Sequence, residues 1–299
     1  MLKHKLIKFS LLIIAFLLCL SLVESKPLYI ATSSPVEQIL KEITGISAEI
    51  ITLVGPGASP HTYTPKPSQV VKAQKADALF YISEYLDGWA SNLSTKKKYK
   101  LIDLLPKSYR LNFESDEHHD HDGHKHNTKN VVDPHFWTDP LTVKAIVSII
   151  LKKLISVNPE NEDIYRNNAE AFEKKLDALN LEIKTKMKRF EGEPVFLFHP
   201  SFRYFLKRYG LKYMGSIETS PGKEPSADYT MKLIKKIKSA KAKALFTEPQ
   251  LPSGPVMTIA EGANLKYYTL DPLGGIENLR TYFELIRYNT DIFVEALKK

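Results

Sequence analysis

One apolar stripe at helical spacing runs without interruption from Pro159 to Phe190, and it divides the chain into two parts. Its apolar members recur every three or four residues: Tyr165, Phe172, Leu176, Leu179, Ile183, Met187 and Phe190. This spacing predicts a single amphipathic helix. At 1.5 Å per residue, a helix of about 30 residues is about 45 Å long. Such a helix is long enough to run along two domains as a stiff connector.

Strand-like and helix-like segments alternate on both sides of this helix. Strand patterns occupy residues 27–32, 48–54 and 77–82 before it, and residues 195–198, 211–217, 244–249 and 266–270 after it. A closing helix is predicted from Glu277 onward. This alternation is typical of parallel sheets covered by helices on both faces. We therefore predict an α/β fold of two lobes, each with a parallel sheet flanked by helices, joined by one long rigid helix.

The predicted division of the chain has four parts. Residues 1–25 form a signal peptide, 26–158 the first lobe, 159–191 the connecting helix and 192–299 the second lobe. The leader has a basic start, then an apolar run of about 15 residues, short of the roughly 20 that a spanning helix needs. We expect it to be cleaved and the mature protein to be exported to the periplasm.

Cys19 is the only cysteine, and it lies in the apolar run of the leader. It follows Leu18, whereas a lipid-anchored bacterial cysteine follows a small residue. We therefore favour removal of Cys19 with the leader over lipid anchoring. The mature chain then has neither a disulfide nor a cysteine metal ligand.

Composition excludes two further classes of protein. A hydrophobic content of 43% and a charged content of 25% are typical of a globular chain and not of a disordered one. The formal net charge of +8 is spread over scattered lysines, with no basic stripe or recognisable nucleic-acid module. We predict that the chain has no nucleic-acid partner.

The nine histidines are unevenly placed. His61, His135 and His199 are isolated, and His4 lies in the leader. The segment 114–130 is almost wholly polar, so we expect a mobile loop there. The remaining histidines all lie in this loop, where they are candidates for a secondary metal site: His118, His119, His121, His124 and His126.

The isolated histidines and one aspartate are placed where a cleft site would need them. His61 lies beyond the second predicted strand, while His199 and Asp271 directly follow the first and last strands of the second lobe. Ligands bind at the carboxyl ends of strands in open parallel sheets. With His135 these residues offer three imidazoles and one carboxylate, a set that suits zinc. Each taken singly has another interpretation: a lone histidine is more often structural, and Asp271 before Pro272 can begin a turn.

Four sequence blocks resemble those of the metal-specific (cluster A-I) solute-binding receptors of ABC importers. GASPHTYTPKP at 57–67 is similar to the family's G-x-x-P-H-x-Y-x-P block, and DPHFW at 133–137 matches D-P-H-x-W. FTEPQ at 246–250 and LDPLG at 270–274 resemble two further blocks. The blocks occur in the family's order and cover essentially the whole mature chain.

The resemblance implies a function and a set of ligands. By this resemblance, three metal ligands are His61, His135 and His199. The fourth ligand is Asp271, or water in its place. A histidine at position 199 implies a zinc-type receptor, since manganese-type members carry glutamate there and carboxylates suit manganese. The transported ligand would be Zn2+ rather than Mn2+, with loop 114–130 as a secondary binder. The implied partners are an ABC permease and its cytoplasmic ATPase, and the implied state is a monomer.

Three other functions remain open at this point. One is a manganese- or iron-type receptor of the same family, and another is a metal-binding adhesin. The third is a secreted zinc hydrolase, because three histidines and an open position also describe catalytic zinc. The chain contains neither H-E-x-x-H nor G-x-S-x-G. We therefore predict a binding protein and not an enzyme.

Overall fold

The computed structural model describes residues 25–113, 131–218, 223–276 and 279–298. Within these ranges the chain forms two parallel four-stranded sheets with helices around them. None of the helices in the described ranges is long and apolar enough to cross a membrane. The histidine-rich segment 114–130 and all but the last residue of the predicted signal peptide lie outside the described residues.

The first sheet is built from residues 28–100. Its strands are β1 (Leu28–Ala31), β2 (Glu49–Thr52), β3 (Ala78–Tyr81) and β4 (Lys98–Lys100), all parallel and in the order β2-β1-β3-β4. The α-helices of this part are α1 (Ser34–Thr44), α2 (Pro67–Lys75), α3 (Glu84–Asp87) and α4 (Leu101–Leu104). Strand β3 is buried along its whole length, as expected for an inner strand covered on both faces.

Two long helices follow the first sheet. Helix α5 spans Pro140–Val157 and α6 spans Glu162–Met187, with 18 and 26 residues. The predicted connecting helix is therefore confirmed, although its two ends, Pro159–Asn161 and Lys188–Phe190, are 3-10 turns. The residues of the predicted stripe are buried.

The second sheet repeats the topology of the first. Its strands are β5 (Pro194–Leu197), β6 (Lys212–Ser216), β7 (Ala244–Thr247) and β8 (Lys266–Thr269), all parallel and in the order β6-β5-β7-β8. Its α-helices are α7 (Arg203–Arg208), α8 (Ala227–Ser239), α9 (Ser253–Ala263) and α10 (Tyr282–Leu297). The predicted two-lobe α/β fold is confirmed.

One hydrophobic core extends across both lobes. It includes Tyr29 and Phe80 of the first sheet, Phe172 of α6, Phe246 of β7 and Phe293 of α10. Helix α6 packs against α1 and α5, which precede it in the chain, and against α10, which follows it. The lobes are therefore joined by shared packing as well as by the connecting helix.

Two local predictions differ from the structure. The closing helix begins at Tyr282 and not near Glu277, because Thr281 is its N-cap and accepts a hydrogen bond from Glu284 N. Strand β4 was not predicted. It is a three-residue edge strand of sequence KYK, and such a segment has too few apolar residues to show a strand pattern.

Candidate metal site

Three histidines from separate segments meet between the two sheets. The potential ligand atoms of His61, His135 and His199 all lie within 4.8 Å of one another. The His61 and His199 rings are 4.9 Å apart between centroids, and the His135 and His199 rings are 5.0 Å apart. The structure thus brings together the three isolated histidines that the sequence singled out.

The strand ends and a short turn place these rings. His61 lies in the 3-10 turn Pro60–Thr62 beyond β2, and Trp89 Nε1 donates to Pro60 O at 2.9 Å. His199 comes two residues after β5. His135 is the N-cap of the 3-10 turn Phe136–Thr138. The carboxyl ends of the strands therefore face the cleft, as in other open parallel sheets.

Each of the three imidazoles has a hydrogen-bond acceptor at its Nδ1. An acceptor there requires the proton to be on Nδ1, which leaves the Nε2 lone pair available to a cation. Histidines that bind metals are held in this way by carboxylates or backbone carbonyls. The acceptors are Tyr85 O for His61 at 3.2 Å, Asp133 Oδ1 for His135 at 2.8 Å, and Glu218 Oε2 for His199 at 2.8 Å.

The Nε2 atoms face one another. His199 Nε2 and His135 Nε2 are 3.2 Å apart, and His61 Nε2 is buried without a hydrogen-bond partner among the described residues. Tetrahedral zinc with Zn–N bonds of about 2.0–2.1 Å places its nitrogens about 3.3–3.4 Å apart. The spacing of the His135–His199 pair therefore fits two ligands of one tetrahedral ion.

The environment moves the three pKa values in different directions. Burial, together with the neighbouring His199 and His135, holds the pKa of His61 well below its usual value. Burial also lowers the pKa of His135, despite its bond to Asp133. Burial opposes the charge of His199 as well, but its bond to Glu218 and other nearby carboxylates raise its pKa on balance. The bond to Glu218 and the nearby carboxylates therefore make His199 the ring of the three that takes up a proton most readily.

A cavity of about 210 Å³ contains the three rings and opens between the lobes. Glu248 lines it and is buried, which raises the pKa of this carboxyl to about 7. The hydroxyl of Ser201 donates a hydrogen bond to Glu248 Oε1. Glu248 therefore lies beside the histidine cluster as a carboxyl that ionises near neutral pH.

Asp271, the predicted fourth ligand, does not join the cluster. Its Oδ1 accepts from Leu273 N at 3.0 Å and Gly274 N at 2.9 Å, and its Oδ2 accepts from Ile276 N at 2.7 Å. The predicted convergence of Asp271 with the three histidines is not found. In this structure the side chain organises a turn, as the other interpretation has it, and its role as a ligand stays a prediction.

Sequence reasoning missed the groups that hold the imidazoles. Glu218 follows the predicted strand 211–217 directly, so the strand-end rule that selected His199 also applied to it. Tyr85 contributes only a backbone carbonyl, for which the sequence carries no signal. The loop histidines, predicted as secondary ligands, lie outside the described residues: His118, His119, His121, His124 and His126.

Comparisons with known proteins agree on one family. The model of the ZnuA family, described as zinc-uptake complex component A, periplasmic, matches residues 30–296. The high-affinity zinc uptake system protein ZnuA of Yersinia pestis is 28% identical over 325 residues, covering 99% of each chain.

Solved structures show the same fold. A crystal structure of ZnuA has a TM-score of 0.76 at 28% identity, covering 92% of this chain and 100% of that one. The laminin-binding protein Lmb of Streptococcus agalactiae, described as a bifunctional protein with adhesin and metal transporting activity, has a TM-score of 0.78 at 26% identity. That match covers 92% of this chain and 100% of Lmb.

Proposed function

The chain belongs to the ZnuA family, and from that premise we propose that it is an exported receptor that captures Zn2+ and delivers it to an ABC-type permease. It is a zinc-binding receptor of an ABC importer and not an enzyme, in keeping with its family and its relatives. The observation that carries the proposal is the convergence of three Nε2 atoms with each Nδ1 held by an acceptor.

We propose His61, His135 and His199 as the zinc ligands. Three imidazoles favour zinc over manganese, because manganese prefers oxygen ligands and binds nitrogen sites more weakly. The orienting bonds from Asp133 and Glu218 increase the basicity of two of these rings. A manganese- or iron-type receptor is the alternative within the family. We would expect more carboxylate ligands in its metal site.

The fourth coordination position has two candidates. Asp271 remains a proposed ligand: its two oxygens accept from three backbone amides, and Oδ2, which accepts from Ile276 N alone among these, keeps a lone pair for a metal. Water is the other candidate. Zinc-bound structures of the wild-type protein and of Asp271→Asn would separate the two, since water coordination survives the substitution.

The loop 114–130 is proposed as a weaker second zinc binder. Its five histidines protonate near pH 6.5 when exposed and hold zinc less tightly than the cleft, so we expect mild acidification to release loop zinc while the tighter cleft zinc stays bound. Zinc titrations at pH 7.5 and pH 5.5 test this. An unchanged stoichiometry would contradict it.

Export, the boundaries of the parts and the oligomeric state are also proposals. We infer a mature protein that begins after residue 25, with lobes at 26–158 and 192–299 around the connecting helix 159–191, located in the periplasm as a monomer. Mass spectrometry of the exported protein gives its first residue and any attached lipid. Light scattering gives the number of chains per particle.

The experiment that tests the function is a calorimetric titration of zinc and of manganese into the metal-free mature protein lacking residues 114–130. Phe113 N donates to Val131 O at 3.0 Å, so a short glycine link can replace the deleted segment. We expect one tightly bound zinc per chain and weak manganese binding. The same protein with His199→Ala should lose most of its zinc affinity.

Three controls make that result interpretable. The full-length mature chain shows what the loop adds. Met257→Ala changes an exposed side chain on α9 and should leave zinc binding unchanged. Zinc binding that is indifferent to His199→Ala, or a preference for manganese, would contradict the proposed function.

A further inference from the structure

Arg203 is a buried arginine close to the histidine cluster. It begins α7, four residues after His199, and only 5% of its surface is exposed. Its guanidinium lies between two aromatic rings, 5.1 Å from the centroid of Phe113 and 5.3 Å from that of Tyr213. Two such ring contacts fix the position of the guanidinium. Burying its charge costs free energy unless an opposite charge compensates it.

One charge that compensates it is Asp133, which is fully buried. Arg203 Nη1 lies 3.7 Å from Asp133 Oδ2. The other oxygen, Oδ1, accepts from both His135 Nδ1 at 2.8 Å and His135 N at 3.0 Å. Asp133 Oδ2 has no hydrogen bond among the described residues, so the guanidinium is its ionic partner there. The carboxylate thus lies between the arginine and the proposed zinc ligand.

Arg203 and its neighbour also hold the backbone around Asp133. Arg203 Nη2 donates to Asn112 O at 3.3 Å. The Tyr204 hydroxyl donates to Asp133 O at 3.1 Å and accepts from Leu111 N at 2.9 Å. One turn of the second lobe therefore fixes both the side chain and the main chain that support His135.

We propose that Arg203 is a positioning residue for the zinc ligand His135, acting through Asp133. The inference rests on the proposed function, because it takes His135 to be a ligand. Arg203 fixes the Asp133 carboxylate, and that carboxylate fixes the His135 ring with its proton on Nδ1 and its Nε2 toward the cavity. Residues 199–204 then contribute one zinc ligand directly and hold a second one in place.

Arg208 provides a matched control from the same helix. Its guanidinium bonds Asp139 with Nη2–Oδ2 at 2.7 Å, so it is also an arginine of the second lobe paired with an aspartate from before the connecting helix. Asp139 caps α5 and bonds Leu141 N and Thr142 Oγ1 rather than a histidine. Loss of Arg208 therefore removes a closer and more exposed arginine–aspartate pair of the same helix without releasing an imidazole.

The test measures zinc affinity of the full mature chain by competition with a chelator. The proteins are wild type, Arg203→Met, Arg203→Lys, Asp133→Asn, the double variant Arg203→Met with Asp133→Asn, and Arg208→Met. Methionine preserves packing between the rings. Lysine preserves the charge but not the planar guanidinium that contacts both rings. Changes in groups that support metal ligands typically weaken binding about 10–100-fold.

We expect Arg203→Met to weaken zinc binding about tenfold, with Arg203→Lys between it and wild type. Because the arginine acts through the aspartate, the double variant should bind within about twofold of Asp133→Asn alone. Arg208→Met should bind zinc as wild type does. Nitrogen NMR of the histidine rings in the metal-free protein should show that the His135 proton leaves Nδ1 for Nε2 in a measurable fraction of Arg203→Met molecules.

Two results would overturn the proposal. One is wild-type zinc affinity and an unchanged His135 tautomer in Arg203→Met. The other is a double variant about tenfold weaker than Asp133→Asn, which would mean that the two residues act independently. The double variant lacks both buried charges, so this comparison stands even if Arg203→Met fails to fold. Equal zinc affinity of the wild-type protein and of His199→Ala would instead contradict the proposed function itself.

Discussion

His199 and Glu218 determine how protons compete with the metal. The pKa of His199 lies above its usual value, with burial opposed by the bond to Glu218 and by nearby carboxylates. A proton on Nε2 excludes a metal from that atom, so zinc affinity should begin to fall once the pH drops below the raised pKa of His199. His61 contributes to this competition only at lower pH, because burial holds its pKa well below the usual value.

Glu218→Gln should therefore shift the decline of zinc affinity to lower pH. The amide oxygen can still accept from His199 Nδ1, but the charge that favours the imidazolium is gone. We also expect a weaker affinity at pH 8, by up to about tenfold, since the ring loses its carboxylate partner. Competition titrations from pH 5 to 8 on both proteins measure the two effects. Identical pH profiles of the two proteins would contradict the view that Glu218 raises the pKa of His199.

Glu248 should make the metal-free protein less stable as the pH rises. Burial raises its folded-state pKa to about 7, whereas its ordinary value is 4.5. The folded protein therefore binds an extra proton between these values, and stability falls as the pH rises through that window. Glu248→Gln removes the ionisation, so its advantage over wild type should grow from pH 5 to pH 8, to about 2–3 kcal/mol. Urea unfolding at both pH values checks this, and an advantage that does not change with pH would refute it.

At the residue scale, position in the sequence predicted which histidines meet, while their role as ligands stays a prediction. His61 and His199 follow strands of parallel sheets, and the ends of such strands meet in space whatever the surrounding residues are. Asp271 satisfied the same rule and yet serves a turn. A metal-binding aspartate and a turn-forming aspartate before proline have the same sequence pattern. They differ only in where the carboxylate points, and that is decided by packing of the loop after β8.

Helix α6 contributes stability through one of its faces only. Phe172 is fully buried and contacts Tyr282 and Phe283 edge to face, with centroids 6.3 and 5.9 Å apart. Leu181 lies on the same helix and is 65% exposed. Phe172→Ala should lower the free energy of unfolding by about 3–5 kcal/mol, while Leu181→Ala should change it by less than about 0.5 kcal/mol. Denaturant unfolding of the metal-free protein measures both, and similar losses for the two would show that the helix is not packed as described.

Elements were predictable in proportion to their length and apolar pattern. The stripe of α6 spans seven turns, so its period was evident without any knowledge of its neighbours. Strand β4 has three residues, two of them lysines, and it pairs with β3 at residues 79–81. Its existence depends on that pairing, which no local pattern records.

The molecule as a whole should change little in size when zinc binds. The core is continuous between the lobes, and α6 packs against helices of both. A single rigid helix lacks the flexible strands that allow a wide hinge motion. We expect a radius of gyration of about 19 Å for the mature chain, with a difference of less than about 0.5 Å between metal-free and zinc-bound protein. Small-angle scattering of both forms tests this, and a decrease of 1 Å or more would indicate domain closure.

The topology of the whole molecule followed from the sequence better than its internal contacts did. Strands alternating with helices leave few arrangements open, because parallel crossovers are right-handed and connections are short. Both sheets accordingly have the same strand order, although the chain shows no repeat. The packing of α10 against α1 could not be foreseen, since it joins the last helix to the first through complementary surfaces alone.

The preformed cluster of histidines also has a kinetic consequence. The Nδ1 atoms are held before any ion arrives, so little conformational entropy is lost when the ion binds. Affinity gained in this way is expressed mainly as a long residence time. His135 and His199 are buried more deeply than His61. A change that moves His61, the least buried of the three rings, away from the other two would shorten that residence time.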